Sequence, residues 1–268
     1  MELREILSQL ERNEGCFPRA AVQEAVGRRM EMVPALLRIL DEVARDPEAF
    51  ASDRDRMIHI YAMYLLAQFR DIRAYPLLVR IFSAPGQLPL DLAGDVVTED
   101  LGMILASVSD GEMSGMASLV ENEEANEYVR SAALDGLVTL VVCGEQSRDG
   151  MMDYFRSLFH KLERRPSMVW NGLVSACAHL CPVEVVKEIR QAYQDNLVDP
   201  DFIRWKSIER ALELGKEAAI KELKRSNRLV TDVEKEMEWW ACFDWSTGRR
   251  RARFIAPPPP RRTPHPIR

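Results

Sequence analysis

Apolar side chains recur at spacings of three and four residues along almost the whole chain, and nowhere in a convincing alternation of two. That pattern confines the fold to helices. Ile58, Tyr61, Ala62, Leu65, Leu66 and Phe69 form one such stripe, and Val129, Ala132, Ala133, Gly136, Leu137 and Leu140 another. Composition agrees: six of the fifteen prolines fall beyond Ala256, so the first 256 residues hold only nine, among abundant Ala, Leu, Glu, Met and Arg. These are the residues that lose least on entering a helix.

The stripes come in pairs separated by short breaks: 56–70 with 73–83, 95–108 with 112–121, 127–143 with 148–164, 168–180 with 183–195, and 202–213 with 216–226. Central positions of the first helices, Ala62, Leu101, Ala133, Leu173 and Ile208, are 39, 32, 40 and 35 residues apart, an irregular beat in the range of HEAT-like arrays. The reading is an all-α chain: a HEAT-like α-solenoid of about five helix pairs, preceded by helices near 2–12, 18–28 and 31–45. Asn126, Ser147 and Ser167 stand where N-caps belong, and Asp199 precedes Pro200. Pro85, Gly86, Pro89 and Gly94 predict a longer loop over 84–94. Residues 1–248 are expected to form a single helical-repeat domain. Residues 249–268, rich in Arg and Pro, are expected to be a disordered tail.

Charge narrows the partners. The last twenty residues hold seven Arg and no acid, so residues 1–248 carry 29 cations against 42 acids, a net of −13. Such a body repels a phosphate backbone, and nucleic acid is not the expected partner. Five scattered cysteines and a start without an apolar leader predict a reducing, cytoplasmic compartment. The most apolar stretches, 57–69 and 134–143, are too short to span a bilayer.

Several runs carry a resemblance. Gly94-Asp95-Val96-Val97-Thr98-Glu99-Asp100, Asn126-Glu127-Tyr128-Val129-Arg130-Ser131-Ala132-Ala133, Tyr154-Phe155 and Trp239-Trp240-Ala241-Cys242-Phe243 together resemble the bacterial family known as domain of unknown function 1186, over about residues 2–245. The resemblance implies helical repeats and supplies no reaction. Members often carry a cysteine-rich zinc motif after a proline-rich linker. Here Cys242 is the last cysteine, so the resemblance brings no zinc-dependent docking.

No residue is singled out as catalytic, metal-ligating or cofactor-binding, and no cofactor is expected. Cys177 and Cys181, at i and i+4, can share a helix face, but buried reduced cysteines are ordinary small hydrophobes. None of His59, His160, His179 and His265 precedes a Glu in the manner of HEAT-repeat di-iron hydroxylases. The partner-binding candidates are two acidic groups, Asp91, Asp95, Glu99 and Asp100, then Glu123, Glu124 and Glu127, together with Trp239 and Trp240. The two tryptophans are expected chiefly to cap the pair at 202–226, whose apolar face has no following repeat to cover it. The function expected is a non-enzymatic scaffold binding a protein or peptide. The alternatives are an enzyme or cofactor-handling protein with a site between helices, and nucleic-acid binding through the Arg-rich tail.

Overall fold

The computed structural model describes residues 1–224 and 226–243, and the Arg- and Pro-rich tail from 249 lies outside them. Among the described residues there are seventeen α-helices, one 3-10 turn at Ala241–Phe243 and no β-strand, so the all-α class holds. In chain order they are α1 (Leu3–Glu11), α2 (Arg19–Gly27), α3 (Arg29–Arg45), α4 (Pro47–Ala51), α5 (Ile58–Gln68), α6 (Ala74–Phe82), α7 (Leu88–Ala93) and α8 (Val96–Glu99). There follow α9 (Leu101–Ser109), α10 (Ser114–Glu121), α11 (Glu127–Val142), α12 (Arg148–Lys161), α13 (Met168–His179), α14 (Val186–Gln194), α15 (Trp205–Leu214), α16 (Lys216–Leu223) and α17 (Val233–Met237).

The first helices pack in chain order, α5 on α9, α9 on α11, α11 on α13 and α13 on α15. Their sequences explain the position: all ten residues from Ile58 to Ala67 in α5 are buried, as are Gly136 to Val142 in α11. A helix that is apolar all round must be enclosed. The outer helices are one-sided: α14 buries only Ile189 and Ala192, leaving the rest to solvent. The five aligned positions Ala62, Leu101, Ala133, Leu173 and Ile208 are all fully buried.

Glycine sets the closest approach. A Cβ on Gly102 would lie 2.6 Å from the carbonyl oxygen of Ala132, and one on Gly136 would lie 2.9 Å from that of Gly102. Helices α9 and α11 therefore touch backbone to backbone. A Cβ on Gly172 would meet the Ser131 hydroxyl and Cβ, so the backbone of α13 closes on a small side chain of α11.

Four local expectations are corrected. The span 84–94 is not a loop, because Leu88–Ala93 forms α7 with Pro89 in its first turn, where the absent N–H costs nothing. The span 95–108 divides at Asp100 into α8 and α9. Ser147 accepts from the Gly150 N–H at 3.2 Å, as a cap should, but Ser167 makes no capping bond. Cys181 lies beyond the end of α13 at φ 60°, so it shares no helix face with Cys177, although both thiols are buried.

Candidate functional site

The segment 226–243 leaves α16 and runs back across the first helices in reverse order, as a strap. The Asn227 side-chain amide donates to Asp135 Oδ1 at 3.3 Å and Thr139 Oγ1 at 3.2 Å on α11. Val230 N–H then donates to Ser107 Oγ on α9 at 2.8 Å, and Val233 N–H to Gln68 Oε1 at the end of α5, also at 2.8 Å. Beyond α17, Trp240 sets its ring edge-on to Tyr64 of α5 at 5.7 Å, and Phe243 meets Phe17 at 5.5 Å. Arg19 of α2 pairs with Glu234 and Glu238. Within the strap, Arg228 holds the buried Glu236 at 2.8 Å.

The strap covers the C-terminal halves of α9 and α11. Their N-terminal halves, with α8, α13 and Phe202, enclose an open cavity of about 410 Å³. Its floor is low because Gly102, Ala132, Gly172 and Ala176 present almost no side chain. Asp135 opens onto it from α11 and His179 from α13, with Ser131 and Ser175 one turn before each. The protein packed around the Asp135 carboxyl raises it above the usual range although the residue is exposed, while the nearby His179 and the Asn227 amide pull it back. Burial lowers His179, opposed by the charge of Asp135. His179 Nδ1 is enclosed without a hydrogen-bond partner among the described residues. A second cavity of about 420 Å³ between α13, α15 and α16 shares Ser175, His179 and Phe202 with the first.

The model of the family described as protein of unknown function (DUF1186) matches residues 1–244. The chain belongs to that family. Two relatives, from Chlamydia muridarum (strain MoPn / Nigg) and Chlamydia trachomatis serovar D, are each described as an uncharacterized protein. Each is 38% identical over 242 residues, covering 90% of this chain and 97% and 96% of the relatives respectively. No solved structure matches the chain.

In this DUF1186 protein the acidic candidates scatter. Asp91 lies in α7, Asp95 precedes α8 and Glu99 ends it, all three exposed but divided between two short elements rather than on one continuous helix face. Asp100 is recessed, taking the Tyr64 hydroxyl, and burial raises its carboxyl. Glu127 is held in the fold itself, accepting the Met168 N–H at 2.7 Å and so capping α13 in place of Ser167. Glu123 and Glu127 offset the buried guanidinium of Arg130, which donates to the Val120 carbonyl at 2.9 Å and is otherwise lowered by desolvation. Glu124 remains exposed in the same turn. The turn is tied to the 84–94 segment by the Pro85–Ala125 bridge and by Asn126 Nδ2 donating to Gly86 O at 2.6 Å.

The tryptophans do not cap the pair at 202–226. Trp240 packs on α5 instead, and Trp239 is 73% exposed. Among the described residues no group of three or more His, Cys, Asp or Glu is placed to hold a metal ion, and no helix is long and apolar enough to cross a membrane. Asp135 and His179 were individually visible in the sequence but unconnected. The signal that unites them is a polar stripe of Ser131, Asp135 and Thr139, four residues apart on α11, whose first two members share the cavity with Ser175 and His179 at the same spacing on α13.

Proposed function

We propose that this DUF1186 protein is a non-enzymatic helical-repeat binding protein that holds an extended segment of a protein partner against its row of first helices. The observation that carries the reading is the strap. The main-chain N–H of Val230, in the stretch without regular structure, and that of Val233, which opens α17, are received by side-chain oxygens of successive helices, and the Asn227 side chain by a third. Side-chain acceptors set at intervals along a helix row are what an extended polypeptide needs, because its main-chain donors lack the internal partners a helix supplies. The open cavity continues the same row and leaves room for a further segment.

A site assembled between helices is the alternative, and it draws support from Asp135 and His179 sharing a cavity with Ser131 and Ser175. No hydrogen bond among the described residues joins either serine hydroxyl to His179, so activation of a nucleophile lacks its first geometric requirement. Binding of nucleic acid through the tail concerns residues outside those described, and the acidic body opposes it.

The test uses the full chain with a specific protease site inserted after Ser226. After cleavage, a fluorescent synthetic peptide of residues 227–243 should exchange onto the body and saturate, and Ser107→Ala with Gln68→Ala should weaken it at least tenfold. A peptide that fails to bind, or that binds the double variant equally well, would refute the proposal.

A further inference from the structure

The cavity beside the strap carries a more specific statement, which rests on the binding reading above. We propose that it receives the guanidinium of an arginine side chain presented by the partner segment.

Charge comes first. The lining contains two carboxylates, Glu99 and Asp135, and no lysine or arginine. The Asp135 carboxylate has one oxygen engaged by Asn227, while its second oxygen takes no hydrogen bond from the described residues. Both carboxylates keep solvent exposure, but they share one concave opening whose lining supplies no cation, so a cation entering it meets the two negative charges together.

The choice of cation follows from the walls. Tyr128 and Phe202 line the same cavity, and Phe202 is 52% exposed at its mouth. A guanidinium is planar and weakly hydrated, so it sheds water more readily than an ammonium, stacks on aromatic faces and bonds a carboxylate with two parallel N–H groups. Gly102, Ala132, Gly172 and Ala176 put no long side chain into the opening, which leaves space for an aliphatic stem. Continuity fixes the source: Asn227 of the strap touches the same Asp135, so an extended segment laid in line with the strap would bring a side chain over the opening.

The test is an amide NMR titration of the full chain. The probes are acetyl-Ala-Arg-Ala-amide, the same peptide with citrulline in place of arginine, and ethylguanidinium alone. The arginine peptide should shift the Gly102 and Gly172 amides saturably. Citrulline, which keeps the shape and removes the charge, should bind at least tenfold more weakly, as should the arginine peptide with Asp135→Asn. Glu99→Gln, at an exposed position, should weaken binding about threefold without touching the fold and serves if Asp135→Asn is unstable. Equal binding of the citrulline peptide, or unchanged binding with both carboxylate variants, overturns the inference. Ethylguanidinium binding as tightly as the peptide overturns the assignment to a polypeptide partner. If the arginine peptide gives no saturable shift while the 227–243 peptide still exchanges, the arginine pocket fails and the binding reading stands.

Discussion

Replacing Gly102 by alanine sets two effects of known size against each other. A glycine inside a helix costs roughly 1 kcal/mol relative to alanine, so propensity alone favours Gly102→Ala. Against this, the new methyl would sit 2.6 Å from Ala132 O and 2.9 Å from Gly136 N, both main-chain atoms of α11 that have no rotamer to change. Forcing a buried methyl into a filled contact costs about 1–3 kcal/mol, and a backbone-on-backbone clash belongs at the upper end. The net expectation is a loss of about 2 kcal/mol. Gly27, the last residue of α2, has nothing within 4 Å of its would-be Cβ, and there the propensity term acts alone. Gly27→Ala should gain roughly 0.5 kcal/mol. Urea denaturation followed by far-UV circular dichroism compares the two directly. If Gly102→Ala is as stable as the wild type, glycine is not what holds α9 against α11, and the account of the cavity floor is wrong.

The remaining predictions concern a buried base and two adjacent tryptophans. His59 is buried in α5 with Nε2 at 2.8 Å from the Leu92 carbonyl and Nδ1 unpartnered, and desolvation pushes its pKa from 6.5 down to about 4. The unfolded chain therefore binds the proton more readily, so this site's penalty is absent above about pH 7 and grows as pH falls from there towards 4. Its contribution is a loss of about 2 kcal/mol at pH 5, and His59→Gln, which keeps a donor for Leu92, should flatten that slope in denaturation curves taken across the window. An unchanged slope would show that His59 is not the titrating group. For the tryptophans, Trp240→Ala should cost about 2 kcal/mol, less than for a fully buried ring. Trp239→Ala should stay within about 0.5 kcal/mol. Equal effects in thermal melts would contradict the placement of Trp240 against Tyr64.

The helices were legible because burial on one stripe writes itself into the sequence at helical spacing. The span predicted at 127–143 is observed at Glu127–Val142, and that at 168–180 at Met168–His179. The segment 84–94 misled because Pro85, Gly86, Pro89 and Gly94 are loop punctuation on average, whereas a six-residue helix needs only that its proline fall in the first turn. The strap had no signature at all. Its main-chain donors are satisfied by side chains 123 and 165 residues earlier, and no local pattern encodes so distant a partner. The candidate site failed for a related reason. Nothing local in the sequence links Asp135 to His179, because their proximity depends on α11 and α13 closing through Gly172 and Ser131. The reverse error arose at Glu127, which looked like free surface charge and is committed to the first turn of another helix.

The strap also bears on the order in which the molecule can be completed. A chain made from its N-terminus gains most neighbouring-helix contacts as soon as the next pair emerges, but Arg19 meets Glu234 and Glu238 across 215 and 219 residues. The surface around α2 and the Tyr64 ring of α5 thus stays unfinished until residues 234–243 have left the ribosome. Long closures of this kind slow the final step and tie the two ends into one cooperative unit. Fraying of the N-terminal helices must then break their contacts with the strap as well.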